Sequence, residues 1–359
     1  MIKVYVPPME TDIFREWFNN TIDFVPCYEI DQVFEQDLKI ACLPVYFDKP
    51  DSGCYVNDVY NRFDLILLSD IEFSHIDPVT KWIKKLKIKN YLLALGGLEG
   101  YTLSGDAIYR PWWTFNLMSK NTLQHKDVEN PPYEFDILLG AKKPHRDFVM
   151  AKCQNSFLLE KSIVNYREAF RVPQDAVVPD TVLNNHIDKV LNGKQLNYPY
   201  VSDNIKHEWE VRPEITYQVS DQVPWGIYNQ TKYSTVLETV YQNGVFFFSE
   251  KPAKALYGKR IFVVFSCYGY LKQMKEVLGF KTFDGIIDER YDQEKDDIKR
   301  FEMAFDQMEK LAKQDYQKIK EQAEPIVDYN FHRLFTLRQE ISDQMQQMVY
   351  NKIKEIKQC

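Results

Sequence analysis

The sequence predicts an α/β fold of two lobes, each built on a parallel sheet, and three observations predict it. Short leucine-rich and β-branched runs recur between amphipathic stretches, the signature of buried parallel strands alternating with helices. The chain has 359 residues, and about 150 residues per domain gives roughly two domains. A polar stretch without period interrupts the pattern once, after which the alternation of strand and helix begins again.

In the N-terminal half, MIKVYV, LKIACLPVYF, RFDLILLSD and KNYLLALGG read as strands. Between the last two lies DPVTKWIKKLKIK, where Asp77 is placed to cap a helix with Pro78 in its first turn. Strand, helix and strand in that order form a βαβ unit, and its repetition predicts a doubly wound sheet. The segment from 117 to 133, LMSKNTLQHKDVENPPY, is polar and ends in a proline pair. It sets the first boundary, giving an N-terminal domain of residues 1–130 and a second of residues 131–300.

The second domain opens with the strand YEFDILLG, a basic turn and the helix AKKPHRDFVMAKCQ. Residues 171–222, rich in Pro, Asn and Asp, read as an irregular insertion. KYSTVLETVYQNG reads as a strand or a short helix, VFFFSEKPAKALYG leads into a helix, RIFVVFS is a buried strand and YLKQMKEVLGF a helix. From residue 301 onward the apolar residues recur at three and four, so the third segment, 301–359, is helical, with Pro325 expected to break or kink it. Such helices either pack across the lobes or pair two chains, which leaves monomer and homodimer open.

Composition excludes several classes. A net charge of −7 with no basic block lacks the overall footprint of a chain that lives on nucleic acid. The six cysteines show no CxxC spacing and no histidine pairs at ligand intervals, so zinc is not expected. No signal-peptide run or span of about 18 apolar residues is present, which predicts a cytoplasmic protein with reduced thiols. Walker and GxGxxG loops are absent, against a P-loop kinase or a dinucleotide oxidoreductase. The aromatic share is high, 14%, and rings of this kind fill cores or stack on sugars and bases.

The strongest local signal is FFFSEKPAKALYGKRIFVVFS, a Glu-Lys pair between an aromatic run and a helix, just ahead of a buried strand. Glu250 is suited to accept hydrogen bonds from two ribose hydroxyls, while Lys251 and the helix N-terminus oppose diphosphate charge. The alternative is a plain surface ion pair. Upstream, KKPHRD gathers Lys143, His145 and Arg146 at a strand-to-helix turn, and the planar fork of Arg146 suits two phosphate oxygens.

Phe248, Ser249, Glu250, Lys251, Lys254 and Ala255 resemble the donor-site signature of GT-B glycosyltransferases, with a fucosyltransferase-like order. The wider likeness, to phage-encoded and bacterial glycosyltransferases, takes in Leu139, Gly140, Pro144 to Asp147, Tyr109 to Trp113, Tyr233, Glu238, Gly279 to Phe283 and the DERYD run. That resemblance implies two Rossmann-like lobes with the C-terminal helices packed across them. It also implies transfer of a sugar from a UDP- or GDP-linked donor to a hydroxyl. The acceptor would be a hydroxylated base in phage DNA, in the host cytoplasm, or a saccharide. Donor-binding residues would be Lys143, His145, Arg146, Tyr233, Ser249, Glu250, Lys251 and Lys254.

No convincing DxD follows a strand, so cationic side chains are expected in place of a metal. A base for an inverting reaction should lie at the end of an N-terminal strand, where RFDLILLSDIEFSH offers Asp70 and Glu72. Gly97, Arg110, Trp112 and Trp113, after the strand LLALGG, are candidates for holding the acceptor. A non-catalytic nucleotide-binding or structural protein of the same bilobal fold is the rival reading.

Overall fold

The computed structural model describes residues 1–7, 11–18, 23–45, 58–70, 83–85, 87–99, 105–111, 114–115, 117–118, 121–140, 142–166, 180–202 and 222–358. Their contacts divide the chain into two compact units, Met1–Trp112 with Thr336–Cys359, and Trp113–Phe335. The division thus falls ahead of the one expected near residue 131, and the C-terminal segment is shared between units instead of standing apart.

Unit 1 is built on a six-stranded sheet ordered β2-β1-β3-β4-β5-β7. Its strands are β1 (Ile2–Tyr5), β2 (Phe24–Cys27), β3 (Ile40–Val45), β4 (Leu65–Asp70), β5 (Tyr91–Leu95) and β7 (Ala107–Tyr109), with β6 at Gly97–Glu99. Every pairing in this sheet is parallel. Ile66, Leu67 and Leu68 are wholly buried, as a strand covered on both faces requires. Helices α1 (Thr11–Phe18) and α2 (Ile30–Phe34) follow β1 and β2. The indole of Trp17 on α1 donates to Ser69 Oγ on β4 at 2.9 Å, satisfying two buried polar groups together.

Unit 2 holds a five-stranded sheet ordered β10-β9-β8-β11-β13. Its strands are β8 (Tyr133–Gly140), β9 (Ile163–Tyr166), β10 (Tyr200–Val201), β11 (Thr231–Leu237) and β13 (Phe262–Phe265), with β12 at Val245–Phe247. Only β10, on the edge, runs antiparallel to its neighbour; the pairings of β8 with β9, β8 with β11 and β11 with β13 are parallel. From β8 the chain passes first to β9 on one side and later to β11 on the other. The sheet therefore changes winding direction between β8 and β11, and the carboxyl ends of those strands flank the crevice where α/β sheets bind ligands.

The helices of unit 2 are α3 (Pro144–Gln154), α4 (Leu158–Lys161), α5 (Thr181–Leu191), α6 (Trp225–Tyr228), α7 (Glu250–Tyr257), α8 (Tyr270–Glu276) and α9 (Asp297–Leu311). Helix α5 corrects the expectation of an irregular insertion over 171–222. Asp180 caps it by accepting from Leu183 N at 2.9 Å, and Leu183, Ile187 and Leu191, four residues apart, are buried. Its three buried apolar residues were hidden in the sequence by the Asn and Asp between them. The segment 231–237, open between strand and helix in the sequence, is a strand, as its β-branched and tyrosine content favours.

Helix α10 (Tyr316–Gln358) corrects the expected break at Pro325, which lies inside a continuous helix. Buried Ile319, Ala323, Leu334, Leu337, Ile341, Met345, Val349 and Ile353 run at helical spacing on both sides of the proline, and their burial sustains the helix through the missing N–H. Asn330 brackets Lys281 at its N–H and its C=O, both at 2.8 Å, which fastens this helix within unit 2.

Candidate functional site

At the carboxyl end of β8, Gly140 adopts φ +66°, and a Cβ there would sit 3.4 Å from Arg146 Nη1. The left-handed backbone is what favours glycine here, with the guanidinium lying at contact distance beside it. Pro144, with its fixed φ, starts α3, and the cap position is Lys143, which offers no side-chain acceptor. Lys143 makes no side-chain cap, and the Arg146 and Asp147 N–H groups both donate to its carbonyl at 2.9 Å.

Across the switch point, β11 ends at Leu237 and is followed by Glu238 and Thr239. Lys143 Nζ donates to Thr239 O at 2.7 Å, and Lys251 Nζ donates to Thr239 Oγ1 at 2.7 Å and to Glu250 Oε1 at 2.8 Å. Glu250 and Lys251 open α7, whose cap is Ser249, accepting from Lys251 N at 3.2 Å. The predicted candidates Lys143, His145, Arg146, Ser249, Glu250 and Lys251 thus come together. Lys254 lies one turn along α7, near enough to act on the Glu250 charge.

Electrostatics reflect this crowding. Burial, with the Arg146 and Lys251 charges, brings Lys143 down to about 8. Burial alone would raise Glu250, but Lys251 and Lys254 outweigh it and hold the carboxyl at about 2. Arg146 is buried, which lowers its pKa against the raising effect of Tyr166, Glu250 and Glu238. His145 is fully buried and depressed by burial and by Arg146 and Lys143, so it is neutral. Its Nε2 lies 2.9 Å from Glu238 O, and because a carbonyl only accepts, Nε2 carries the proton.

His145 therefore spends its Nε2–H on the backbone at the end of β11. Tyr233 stands apart: its buried ring packs against Phe135 and Tyr316 at 5.2 and 5.7 Å. It precedes Glu238 by five strand positions, about 16 Å, so Tyr233 belongs to the core and not to the cluster.

Beside Arg146, Asp147 accepts from the Tyr166 hydroxyl at the end of β9, and Lys142 Nζ lies 3.5 Å from the same carboxylate. The DERYD run is structural: Asp292 accepts from Leu271 N and Lys272 N at 2.8 and 3.1 Å and so caps α8, and Asp288 pairs with Arg290.

No protein-family model matches the chain, and no curated protein matches it. Among solved structures it is similar to T4 phage BGT in complex with UDP and Mn2+, at 9% identity and a TM-score of 0.40, over 98% of this chain and 99% of that one. At that TM-score the likeness assigns neither a family nor a function.

In unit 1, Asp70 ends β4, with its backbone paired to Val45. Gly97 opens β6, and Arg110 is buried directly after β7, its N–H donating to Leu95 O at 2.8 Å. Glu72, Trp112 and Trp113 lie outside the described residues. Among the described residues, no group of three His, Cys, Asp or Glu could hold a metal ion, and no helix is long and apolar enough to cross a membrane.

Sequence reasoning missed Glu238 as the joint of the cluster and Thr239 as its bridge. It also missed the buried pair of Asp136 and Arg260, 3.4 Å apart, shared with Ser234 and Thr231. An Arg placed immediately before a buried strand was the available signal for the latter.

Proposed function

We propose that this chain is a glycosyltransferase that draws its sugar from a nucleoside-diphosphate donor held in the crevice of unit 2. The observation that carries the reading is the convergence of Lys143, Lys251 and Arg146 at the carboxyl ends of β8 and β11, with Glu250 held ionised beside them. Cations gathered at a switch point oppose a diphosphate and stabilise the charge that grows on it as the sugar departs. Glu250 binds the ribose hydroxyls through Oε2, the carboxylate oxygen not spent on Lys251, and Arg146 supplies the bidentate fork. The resemblance of the Ser249–Glu250–Lys251 segment to GT-B donor motifs points the same way.

The donor is UDP- or GDP-linked, and the acceptor is a hydroxyl on a modified base in DNA or on a saccharide. The base that deprotonates it is Asp70 or Glu72, with Gly97, Arg110, Trp112 and Trp113 around the acceptor. Because side-chain cations offset the diphosphate, transfer requires no divalent ion, and EDTA leaves it unchanged.

A thermal-shift panel of UDP-, GDP- and CMP-sugars tests the donor, since a ligand at 100 times its Kd adds about 2.7 kcal/mol of stability. Slow hydrolysis of the stabilising donor should vanish in Arg146→Ala and Glu250→Ala. A panel with no shift and no hydrolysis overturns the reading.

A further inference from the structure

The carboxylate of Glu238 sits at the centre of the crevice's framework yet contacts none of the space a ligand would occupy. It is completely buried. Oε1 accepts from Ser249 N at 2.9 Å and from the Tyr270 hydroxyl at 2.7 Å, and Oε2 accepts from Thr239 N at 2.9 Å. Its carbonyl takes the His145 ring at 2.9 Å, and its N–H donates to Phe265 O at 3.2 Å. One residue thereby joins the end of β11, the end of β13, the first residue of α8, the cap of α7 and the first turn of α3. Two of the three helices so joined, α3 and α7, carry Arg146 and Lys251, and the residue after Glu238 holds the ammonium groups of both Lys143 and Lys251.

A buried carboxylate is costly unless its lone pairs are filled. Burial pushes the Glu238 pKa up, and the Lys251 charge with the hydrogen bonds from two backbone amides and a phenol opposes this by favouring the ionised form. A hydrophobic residue of similar size would fill the volume but leave the Ser249 and Thr239 amides without acceptors and free the start of α7.

We propose that Glu238 is a positioning residue of the diphosphate crevice, setting the spacing between the cations of α3 and α7 through its buried carboxylate. The inference rests on the donor reading above. Its negative charge has a second effect, because together with Glu250 it supports the proton on Lys143 against Arg146 and Lys251.

The test is calorimetric titration of the full chain with inorganic pyrophosphate, UDP and GDP from pH 6.5 to 9.5. Glu238→Gln, verified as folded by a cooperative melt, should bind about tenfold or more weakly, as expected for lost charged hydrogen bonds. The pH at which its binding fades should also move downward, since a charge that holds the Lys143 proton is gone. Tyr270→Phe keeps the carboxylate and removes one donor; it should bind about threefold more weakly with the pH midpoint unmoved. A folded Glu238→Gln with the wild-type affinity and midpoint overturns the proposal, leaving Glu238 a core residue only. Should Glu238→Gln not fold, Tyr270→Phe decides, and an unchanged affinity there overturns it. Wild-type protein that binds none of the three probes defeats the donor reading, and this inference with it.

Discussion

Lys143 and Lys251 hold one residue from two directions, the first donating to the Thr239 carbonyl and the second to the Thr239 hydroxyl, each at 2.7 Å. Two ammonium groups are thereby fixed near each other and near Arg146, a crowding of like charge that Glu250 and Glu238 offset in part.

The pH dependence of ligand binding follows from that crowding. Burial and the neighbouring cations bring Lys143 to about 8 in the free protein. A diphosphate favours the protonated amine, so affinity is highest below this value and falls as pH rises through it, by up to about tenfold per unit. Titration of pyrophosphate against pH should show that decline. In Lys143→Arg, whose charge persists throughout the range, the decline should disappear, and Lys143→Ala should bind weakly at every pH.

Glu250 links the same cluster to acid stability. Its carboxyl is held at about 2 against an ordinary value of 4.5. A depressed carboxylate stabilises the fold above its unfolded-state pKa, and that contribution is lost as pH falls from about 4.5 towards 2. Urea denaturation should therefore show Glu250→Gln less stable than wild type at pH 7, by no more than about 3 kcal/mol. The two proteins should converge near pH 2. A difference that persists unchanged at pH 2 would assign the loss to packing and not to charge.

What the sequence revealed of this site is what local order encodes. Lys143 to Arg146 follow a strand and contain the proline that starts a helix, and Ser249 caps the helix that Glu250 and Lys251 open, so both segments announce themselves within a few residues. Strands β1, β3, β4 and β5 of unit 1 were legible for the same reason, as in the uninterrupted apolar run of β4, whereas the short β2 and β7 were not. Glu238 was not, because its partners lie at Ser249 and Tyr270, and a Glu at the end of a strand ordinarily faces water. Tyr233 was placed in the site by the family resemblance, but a strand carries it about 16 Å from Glu238, into contact with Tyr316.

The pair formed by Asp136 and Arg260 separates stability from function. Asp136 Oδ2 accepts from Ser234 at 2.7 Å, and Arg260 donates to Thr231 at 2.7 Å and to the Tyr228 carbonyl at 2.9 Å, all of it buried. Asp136 lies four residues before Gly140 on β8, about 13 Å from the crevice end. Asp136→Ala leaves a buried guanidinium without its counter-ion and should cost about 3–5 kcal/mol in denaturant unfolding. Affinity for pyrophosphate, measured at a temperature where the variant is folded, should stay at the wild-type value.

Pro325 tests how the long helix is held. A proline inside a helix forfeits one backbone hydrogen bond and crowds the preceding turn, at about 3 kcal/mol. Here the helix runs on for more than thirty residues beyond it, and the buried stripe from Ile319 to Ile353 keeps its spacing across position 325. Packing thus outweighs the local penalty, and relieving the penalty should leave the packing intact. Pro325→Ala should raise unfolding stability by about 1–3 kcal/mol, read from the denaturant midpoint with an unchanged m-value. A destabilised variant would mean that the proline fixes a bend on which the buried stripe depends.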